Sequence, residues 1–270
     1  MLTFTTLASS STGNAAVVSD GQTHILLDAG ISARRITAGL RQLGLDPKNL
    51  SAVFVTHDHT DHIGGLGVFT KQNRIPIYAT RPTCDTILRK APHAQEMLQP
   101  RDPGSCVAIG KLLMKSFPIP HDAQGSVGYS ILAGDTRMVL CTDLGYVPPE
   151  VMEIVRGCDL LVCEANHDED WVRTSSYAHS LKQRVLGEHG HLSNEAGAEL
   201  ALMAARSGTK YIILAHLSPE NNTPAHAYRV VSERLRQGGI DLEQDVHLLV
   251  APRDEMGNPC RIEHKEGALC

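Results

Sequence analysis

The sequence predicts an α/β protein in which two β-sheets are packed between outer helices. One observation is a series of short apolar strands near the N-terminus, and a second is the alternation of strands and helices later in the chain. The third is the composition, because 42% hydrophobic and 20% charged residues suit a chain of 270 residues with an ordinary globular core. No linker-like stretch divides the chain, so we expect a single domain over residues 1–270.

Short strands and one helix account for the first part of the chain. Turn signals rich in Ser, Thr and Gly, and one Asp-Gly pair, separate the strands. Ser32 is placed to cap a helix that carries Ile36 and Leu40 on one face and ends at Gly44. The predicted strands are Leu2–Ala8, Asn14–Ser19, Thr23–Leu27 and the apolar run Ala52–Val55.

The later part of the chain alternates strands with helices. The segment 133–136, Ala-Gly-Asp-Thr, predicts a hairpin turn between the first two of these strands. Ser193 is placed to cap a helix that ends near Gly208, and Pro224 opens another helix that continues to Gly238. The predicted strands are Val127–Leu132, Met138–Thr142, Leu160–Cys163 and Tyr211–Leu214.

Several general features bear on the cellular compartment. No apolar run approaches the roughly 20 residues that a membrane-spanning helix requires. The N-terminus lacks the basic stretch and the long apolar core of a signal peptide. The seven cysteines are odd in number and include no Cys-x-x-Cys pair, which suits reduced thiols. We therefore expect a cytoplasmic protein that does not insert into a membrane.

The formal net charge of −5 restricts the classes of partner. A dedicated nucleic-acid-binding protein usually carries a basic excess, so a nucleic-acid substrate would need a local basic patch or bound metal ions. The Ser9–Asn14 turn offers hydroxyl and N–H groups for a terminal phosphate, although such turns are common. Two basic clusters, each with a solvated surface as its alternative interpretation, are Arg34, Arg35 and Arg41 on the first helix, and Lys182 and Arg184 in the loop before His191.

The segment that follows the strand Ala52–Val55 carries the strongest chemical signal. Four metal-ligand side chains occur within six residues: His57, His59, Asp61 and His62. Imidazole and carboxylate groups suit zinc, iron and manganese, and a cluster of this density has little reason to exist without an ion. A polar surface loop is the alternative interpretation.

This H-x-H-x-D-H motif resembles that of the metallo-β-lactamase-fold hydrolases. The resemblance implies an αββα four-layer sandwich of two mixed β-sheets flanked by helices. It also implies two divalent metal ions, with Zn, Mn and Fe all compatible with the ligands. Further ligands occur in the family's order, each after an apolar run. The resemblance assigns His57, His59 and His121 to the first ion, Asp61, His62 and His216 to the second, and Asp143 as the bridge.

Other residues are assigned supporting roles by the same resemblance. Asp28 would orient a ligand histidine, as residues behind metal ligands commonly do; a plain turn aspartate is the alternative. Asn14 and His167 are placed behind the ligands or at the cleft, and His189 is a further candidate for the cleft.

A Glu and a later Gly-His element point to phosphodiester chemistry. The segments 164–168, Glu-Ala-Asn-His-Asp, and 190–194, Gly-His-Leu-Ser-Asn, are similar to elements of ribonuclease Z and of the phosphonate-pathway cyclic phosphodiesterase. The similarity implies that Glu164 orients His191 and that His191 is a general acid; a capping-loop histidine is the alternative. Asp61, His191 and Glu164 are thus the predicted catalytic residues.

The segments 7–15 and 216–222, together with those around Glu164 and His191, resemble the bacterial YycJ (WalJ) group. That resemblance implies a 5′-to-3′ exonuclease on double-stranded DNA, which attacks with a hydroxide held between two metal ions. A thioesterase, lactonase or cyclic phosphodiesterase on the same ligands remains an alternative, as does a non-catalytic regulatory partner. The sequence names no protein partner.

Overall fold

The computed structural model describes residues 1–263, which form two β-sheets and the helices around them. The strands, in chain order, are β1 (Leu2–Ala8), β2 (Ala15–Ser19), β3 (His24–Leu27), β4 (Ala52–Phe54), β5 (Ile77–Ala79), β6 (Leu98–Pro100), β7 (Cys106–Ile109), β8 (Leu112–Pro118), β9 (Val127–Ala133), β10 (Thr136–Cys141), β11 (Leu160–Glu164), β12 (Tyr211–Ala215), β13 (His247–Val250) and β14 (Cys260–Ile262).

The helices lie between these strands in the chain. They are α1 (Ala33–Gln42), α2 (Thr60–Ile63), α3 (Leu66–Gln72), α4 (Arg81–Lys90), α5 (Pro149–Val155), α6 (Glu169–Thr174), α7 (His179–Val185), α8 (Asn194–Arg206) and α9 (Pro224–Gln237). Two 3₁₀ turns span Pro47–Asn49 and Pro92–Met97.

Each sheet has seven strands and mixes parallel with antiparallel pairs. The first has the order β14-β1-β2-β3-β4-β5-β6, and the second β13-β12-β11-β10-β9-β8-β7. Strands β3 to β6 run parallel, as do β10 to β13, whereas the hairpin-linked strands β7 to β10 are antiparallel. Helices connect the parallel strands, as parallel pairing requires. This agrees with the alternation of strands and helices that the sequence analysis describes for the later part of the chain.

Three buried apolar clusters divide the molecule into four layers. Phe4, Ile25 and Met138 belong to the cluster between the two sheets. A second cluster joins the outer face of the first sheet to α1, α3 and α4, and a third joins the outer face of the second sheet to α5, α8 and α9. Because both faces of each sheet are buried, the central strands are continuous apolar runs. The predicted αββα sandwich is confirmed.

The strands and helices predicted from the sequence are present, with ends that differ by one or two residues. Ser32 and Ser193 cap α1 and α8 as expected, and Thr223 caps α9; each side chain accepts a backbone N–H. The sequence analysis missed β5, β6, β7, β13 and β14, which are short or partly exposed. It also gave no bounds for β8 or for the helices α2 to α7. The single domain over 1–270 stays a prediction, and residues 264–270 lie outside the described part. Within that part no helix is long and apolar enough to cross a membrane.

Candidate metal centre

The predicted ligand residues lie together where strands of both sheets end. Carboxyl ends of parallel strands share one edge of a sheet, and the two sheets bring two such edges side by side. The residues and the strands that they follow are Asp28 after β3, His57–His62 after β4, His121 after β8, Asp143 after β10 and His216 after β12, with Glu164 at the end of β11.

Three of these residues have a backbone conformation that non-glycine residues rarely adopt. The φ angles of Asp28, Asp143 and His216 are 57°, 64° and 58°, and no other non-glycine residue within 1–263 has a positive φ. Such a conformation costs roughly 1–3 kcal/mol and persists only where the surroundings enforce it. Each of the three follows directly after or close to a strand end, so the sharp turn aims the side chain at the cluster.

The loop after β4 is held in place by close backbone contacts. His59 has extended backbone and precedes α2, whose first turn contains Asp61 and His62. A Cβ on Gly30 would lie 1.6 Å from the carbonyl oxygen of Asp61, so only glycine permits this contact. The backbone N–H of Asn14 donates to the same carbonyl at 2.8 Å, and its side-chain amide lies 3.4 Å from the Asp61 carboxylate.

The ligand-type atoms of the described residues form four overlapping groups, and two of these groups hold the histidines assigned to the two ions. Nitrogen atoms of His57, His59 and His121 lie within 4.8 Å of one another. In the second group the Nε2 atoms of His62 and His216 are each 3.3 Å from Asp61 Oδ2.

Asp143 lies between the two groups. Its Oδ2 is 3.5 Å from His62 Nε2, and its Oδ1 is 3.3 Å from His216 Nε2 and 3.9 Å from His121 Nε2. A single carboxylate therefore faces ligand atoms of both groups, which is the position that the bridging prediction requires.

Hydrogen bonds behind three histidines leave their Nε2 atoms to face the cluster. In each case a polar group contacts Nδ1, which sets the tautomer and the direction of the ring. These groups are Asp28 Oδ2 for His62, at 2.8 Å, Gly190 O for His121, at 3.2 Å, and Glu164 Oε1 for His216, at 2.8 Å.

Two buried atoms at the centre test whether a cation suits this arrangement. His57 Nε2 and Asp143 Oδ2 have no hydrogen-bond partner, although the two residues are 0% and 1% exposed. Buried polar atoms are normally satisfied, and leaving one unpaired costs about 1–3 kcal/mol. Both atoms are metal-ligand atoms that point into a group of other ligands. The His/Asp cluster therefore fits divalent metal binding.

The electrostatics of the cluster favour positive charge. Burial lowers the pKa of His62, but the carboxylates of Asp143, Asp28 and Asp61 outweigh it and raise that pKa well above its usual value. Burial likewise lowers the pKa of His216, whereas the nearby carboxylates raise it to about 10. Because a bound cation supplies the same positive charge, metal binding and proton release are linked here.

The environment of His57 differs. Burial, followed by the charges of His62, His121 and His59, lowers the pKa of His57 well below its usual value. A neutral ring is the form that binds a metal ion.

Glu164 joins the second group to His191. Its Oε1 contacts His191 Nδ1 at 2.9 Å and His216 Nδ1 at 2.8 Å, while its Oε2 accepts the backbone N–H groups of Leu144 and Leu192. The side chain is fully buried. Burial raises its pKa, but His191 and His216 outweigh this and lower it, so Glu164 is a carboxylate with four hydrogen-bonding partners.

Comparisons with known proteins agree with this geometry. A family model described as "Beta-lactamase superfamily domain" matches residues 23–217. Exodeoxyribonuclease WalJ of Streptococcus pneumoniae is 36% identical over 247 residues, which cover 90% of this chain and 91% of that protein. The chain belongs to the metallo-β-lactamase superfamily. Within it, the chain belongs with the WalJ and YycJ proteins, since exodeoxyribonuclease YycJ of Bacillus anthracis is 34% identical over 88% of this chain and 91% of its own length.

Solved structures show the same fold. The metallo-β-lactamase fold protein YhfI from Bacillus subtilis aligns with a TM-score of 0.72 and 14% identity, over 95% of this chain and 98% of that one. At this identity the likeness concerns the fold alone. The family model and the WalJ and YycJ relatives are what make the chain a member of a superfamily of hydrolases.

A cavity of about 300 Å³ lies over the cluster of this superfamily member. Its walls include His59, Asp61, Asp143, His191 and His216, so the ligand groups are open to a bound molecule. Residues with hydroxyl and amide groups also line the cavity, namely Ser11, Asn166, Tyr177, Ser218 and Asn221.

The other residues that the sequence analysis singled out differ in their position relative to the cavity. His167 is 1% exposed and Nδ1 contacts the side chain of Asn166, so it stands behind the cavity wall. His189 is exposed and does not line the cavity. Lys182 and Arg184 lie on α7, contrary to the predicted loop. Arg184 lines the cavity and pairs with Asp122.

Sequence reasoning missed two residues that brace the cluster. Asp122 Oδ1 lies 3.4 Å from Nε2 of both His59 and His121. Its position next to His121 in the sequence was the available signal. Ser9 Oγ accepts the backbone N–H of His216 at 3.0 Å, and no local pattern reveals this contact across 207 residues.

Proposed function

We propose that this chain is a metal-dependent exodeoxyribonuclease that digests double-stranded DNA from the 5′ end. Its WalJ and YycJ relatives are named exodeoxyribonucleases, and the aligned regions cover 91% of their lengths. The observation that carries the chemical proposal is His191, which Glu164 holds at 2.9 Å while the ring lines the cavity above the ligand cluster. A proton donor beside a cation site suits a phosphodiester whose departing oxygen needs a proton.

Two divalent ions, Zn, Mn or Fe, are part of the proposal. One would be held by His57, His59 and His121, the other by Asp61, His62 and His216, with Asp143 between them. Bound ions would polarise the phosphoryl oxygens and make water a better nucleophile at neutral pH.

The side chains of the chain itself would then perform three tasks. His191 protonates the departing oxygen through Nε2, because its Nδ1 faces Glu164. Asp61 accepts a hydrogen bond from the attacking water, since its carboxylate lines the cavity and is partly exposed. Glu164 and Asp28 hold the rings in the required direction.

The central experiment uses 5′-phosphorylated duplex DNA and measures metal content on the same sample. We expect mononucleotides to be released from the 5′ end, which duplexes labelled at either end would distinguish. A fully metallated protein that leaves the duplex intact, or that releases the 3′ label first, would contradict the proposal. Faster hydrolysis of a thioester than of any phosphodiester would favour a small-molecule hydrolase.

His191→Ala tests the acid role. We expect kcat/KM on DNA to fall by about 10²–10⁴-fold, with metal content unchanged. The loss on bis(4-nitrophenyl) phosphate should be smaller, because nitrophenolate departs without a proton. His189→Ala is the matched control, since this exposed histidine does not line the cavity. Equal losses on both substrates would rule out the acid role.

A further inference from the structure

A second cavity adjoins the metal centre on the side of the first sheet. It has a volume of about 410 Å³ and lies between α3, α4 and the 3₁₀ turn Pro92–Met97. Thr60, the exposed first residue of α2, lines both this cavity and the one above the ligand cluster. The two cavities are therefore neighbours, and we call the second one the α3–α4 groove.

The floor of the α3–α4 groove is apolar. Ile63, Leu66 and Ile87 line it and are themselves almost fully buried. Val68 also lines it and is 56% exposed, the largest exposed fraction among the large hydrophobic residues of the described chain. An exposed apolar surface bordered by polar groups is typical of a binding site.

The rim of the groove is basic. Lys71 on α3 and Lys90 at the end of α4 are exposed, and His93 lies beside them. Within residues 1–263 neither lysine takes part in an ion pair, and no acidic side chain lines the groove. In a chain of net charge −5, this combination favours an anionic occupant.

Three of the five basic side chains that the sequence analysis singled out are engaged elsewhere. Arg35 donates to the carbonyl of Asp254, Lys182 donates to the carbonyl of Arg173, and Arg184 pairs with Asp122. Lys71 and Lys90 take part in no ion pair within residues 1–263, and they border the cavity that shares Thr60 with the one above the metal centre.

We propose that the α3–α4 groove binds the DNA strand next to the scissile phosphodiester, an inference that rests on the proposed function. Lys71 and Lys90 hold backbone phosphates, and the apolar floor accommodates the sugar or an unpaired base. Continuity with the metal centre and the basic rim both favour a nucleic-acid strand over an apolar peptide. Such contacts add affinity and position the strand without reading its sequence.

The test replaces both lysines by glutamate and compares the result with a control of equal charge. Lys71→Glu/Lys90→Glu is the test variant. Lys48→Glu/Lys210→Glu is the control, because these exposed lysines lie before β4 and β12, whereas the metal centre follows the carboxyl ends of both strands. Each metallated protein is titrated, by fluorescence anisotropy, into a duplex whose terminal linkages are phosphorothioates that resist hydrolysis. Turnover is measured separately on ordinary duplex DNA and on bis(4-nitrophenyl) phosphate.

In the test variant we expect the Kd for DNA to rise at least about tenfold and the salt dependence of binding to weaken by about two in log–log slope. Turnover of bis(4-nitrophenyl) phosphate should stay within about twofold. Equal weakening in both double variants would overturn the proposal, because it would show only an effect of net charge. A change in oligomeric state, measured by light scattering, with DNA binding intact would assign the groove to a second copy of the chain and overturn it as well.

The binding and turnover measurements separate this proposal from the proposed function. If the wild-type protein cleaves DNA and the test variant binds and cleaves it normally, only the groove proposal fails. If the wild-type protein cleaves no DNA but binds the duplex through the two lysines, the groove proposal stands and the exonuclease proposal fails.

Discussion

The first sheet supplies its four ligand-type residues, His57, His59, Asp61 and His62, from one short loop after β4, whereas the second sheet supplies one residue from each of several strands. The loop is braced from within the first sheet's half of the molecule, by Asp28, Asn14 and the close approach of Gly30. The half of the site that belongs to the second sheet depends on the alignment of β10, β11 and β12, and on Glu164 at the end of β11.

The two halves of the site differ in how many groups contact a single buried carboxylate. Asp28 orients one histidine of the loop, His62, and accepts the backbone N–H and the side-chain hydroxyl of one further residue, Thr56. Glu164 contacts two histidines and accepts two backbone N–H groups. Replacing Glu164 in the second sheet should therefore disturb more of the site than replacing Asp28 in the first sheet.

The largest effect is expected for Glu164→Gln. An amide has one acceptor oxygen in place of two, so at least two of the four buried partners lose an acceptor. We expect the free energy of unfolding, measured in EDTA, to fall by about 3–5 kcal/mol. The kcat/KM on DNA should fall by more than about 10²-fold.

The control for this variant is Glu199→Gln. It disrupts an exposed ion pair with Arg234, and the expected change in the free energy of unfolding is below about 1 kcal/mol. Comparable changes in the two variants would show that Glu164 does not hold the half from the second sheet together.

Asp28→Asn is expected to have an intermediate effect confined to the loop. Asparagine tolerates the positive φ of 57° at this position, but its single acceptor oxygen can serve either His62 or the buried N–H of Thr56. We therefore expect the fold to be preserved with some loss of stability. Loss of the negative charge should weaken metal affinity by about 10–100-fold, measured by competition with a chelator. Asp46→Asn, at an exposed 3₁₀ turn, is the control. Unchanged metal affinity in Asp28→Asn would mean that this brace is dispensable.

The smallest effect is expected at Asp168, which caps α6 just after β11 and also contacts His226 at 2.7 Å. Burial raises its pKa, but the N–H of Trp171 and the ring of His226 outweigh this and lower it. Because the folded-state pKa is depressed, the stabilisation is present above the unfolded pKa near 4 and is lost as pH falls through the lower folded value.

Asp168→Ala should therefore cost about 1 kcal/mol of unfolding free energy at pH 7, with little change in DNA turnover. Denaturant titrations of both proteins at pH 7 and pH 3 should show that the difference narrows in acid. A constant difference across this range would contradict a role for the ionised carboxylate.

Much of the architecture could be predicted from local patterns. The apolar runs of β4, β10, β11 and β12 are visible because strands buried on both faces leave little polar alternation. The caps Ser32, Ser193 and Thr223 mark helix starts because their oxygens serve only backbone groups close in sequence. The edge strands β6 and β13 were not predicted, because their partial exposure removes the continuous apolar pattern.

The sequence by itself determined the ligand-rich loop, because its four ligand-type side chains are neighbours along the chain and need no distant partner to be recognised. The positions of His121, Asp143, Glu164 and His216 were predicted only through resemblance to a family. Tertiary structure alone decided how they meet, since strand pairing brings together residues that lie dozens of positions apart. It also decided that Glu164 contacts His216 in addition to His191, and that Lys71 and Lys90 border a groove next to the metal centre. Such contacts depend on packing across layers, which no local pattern records.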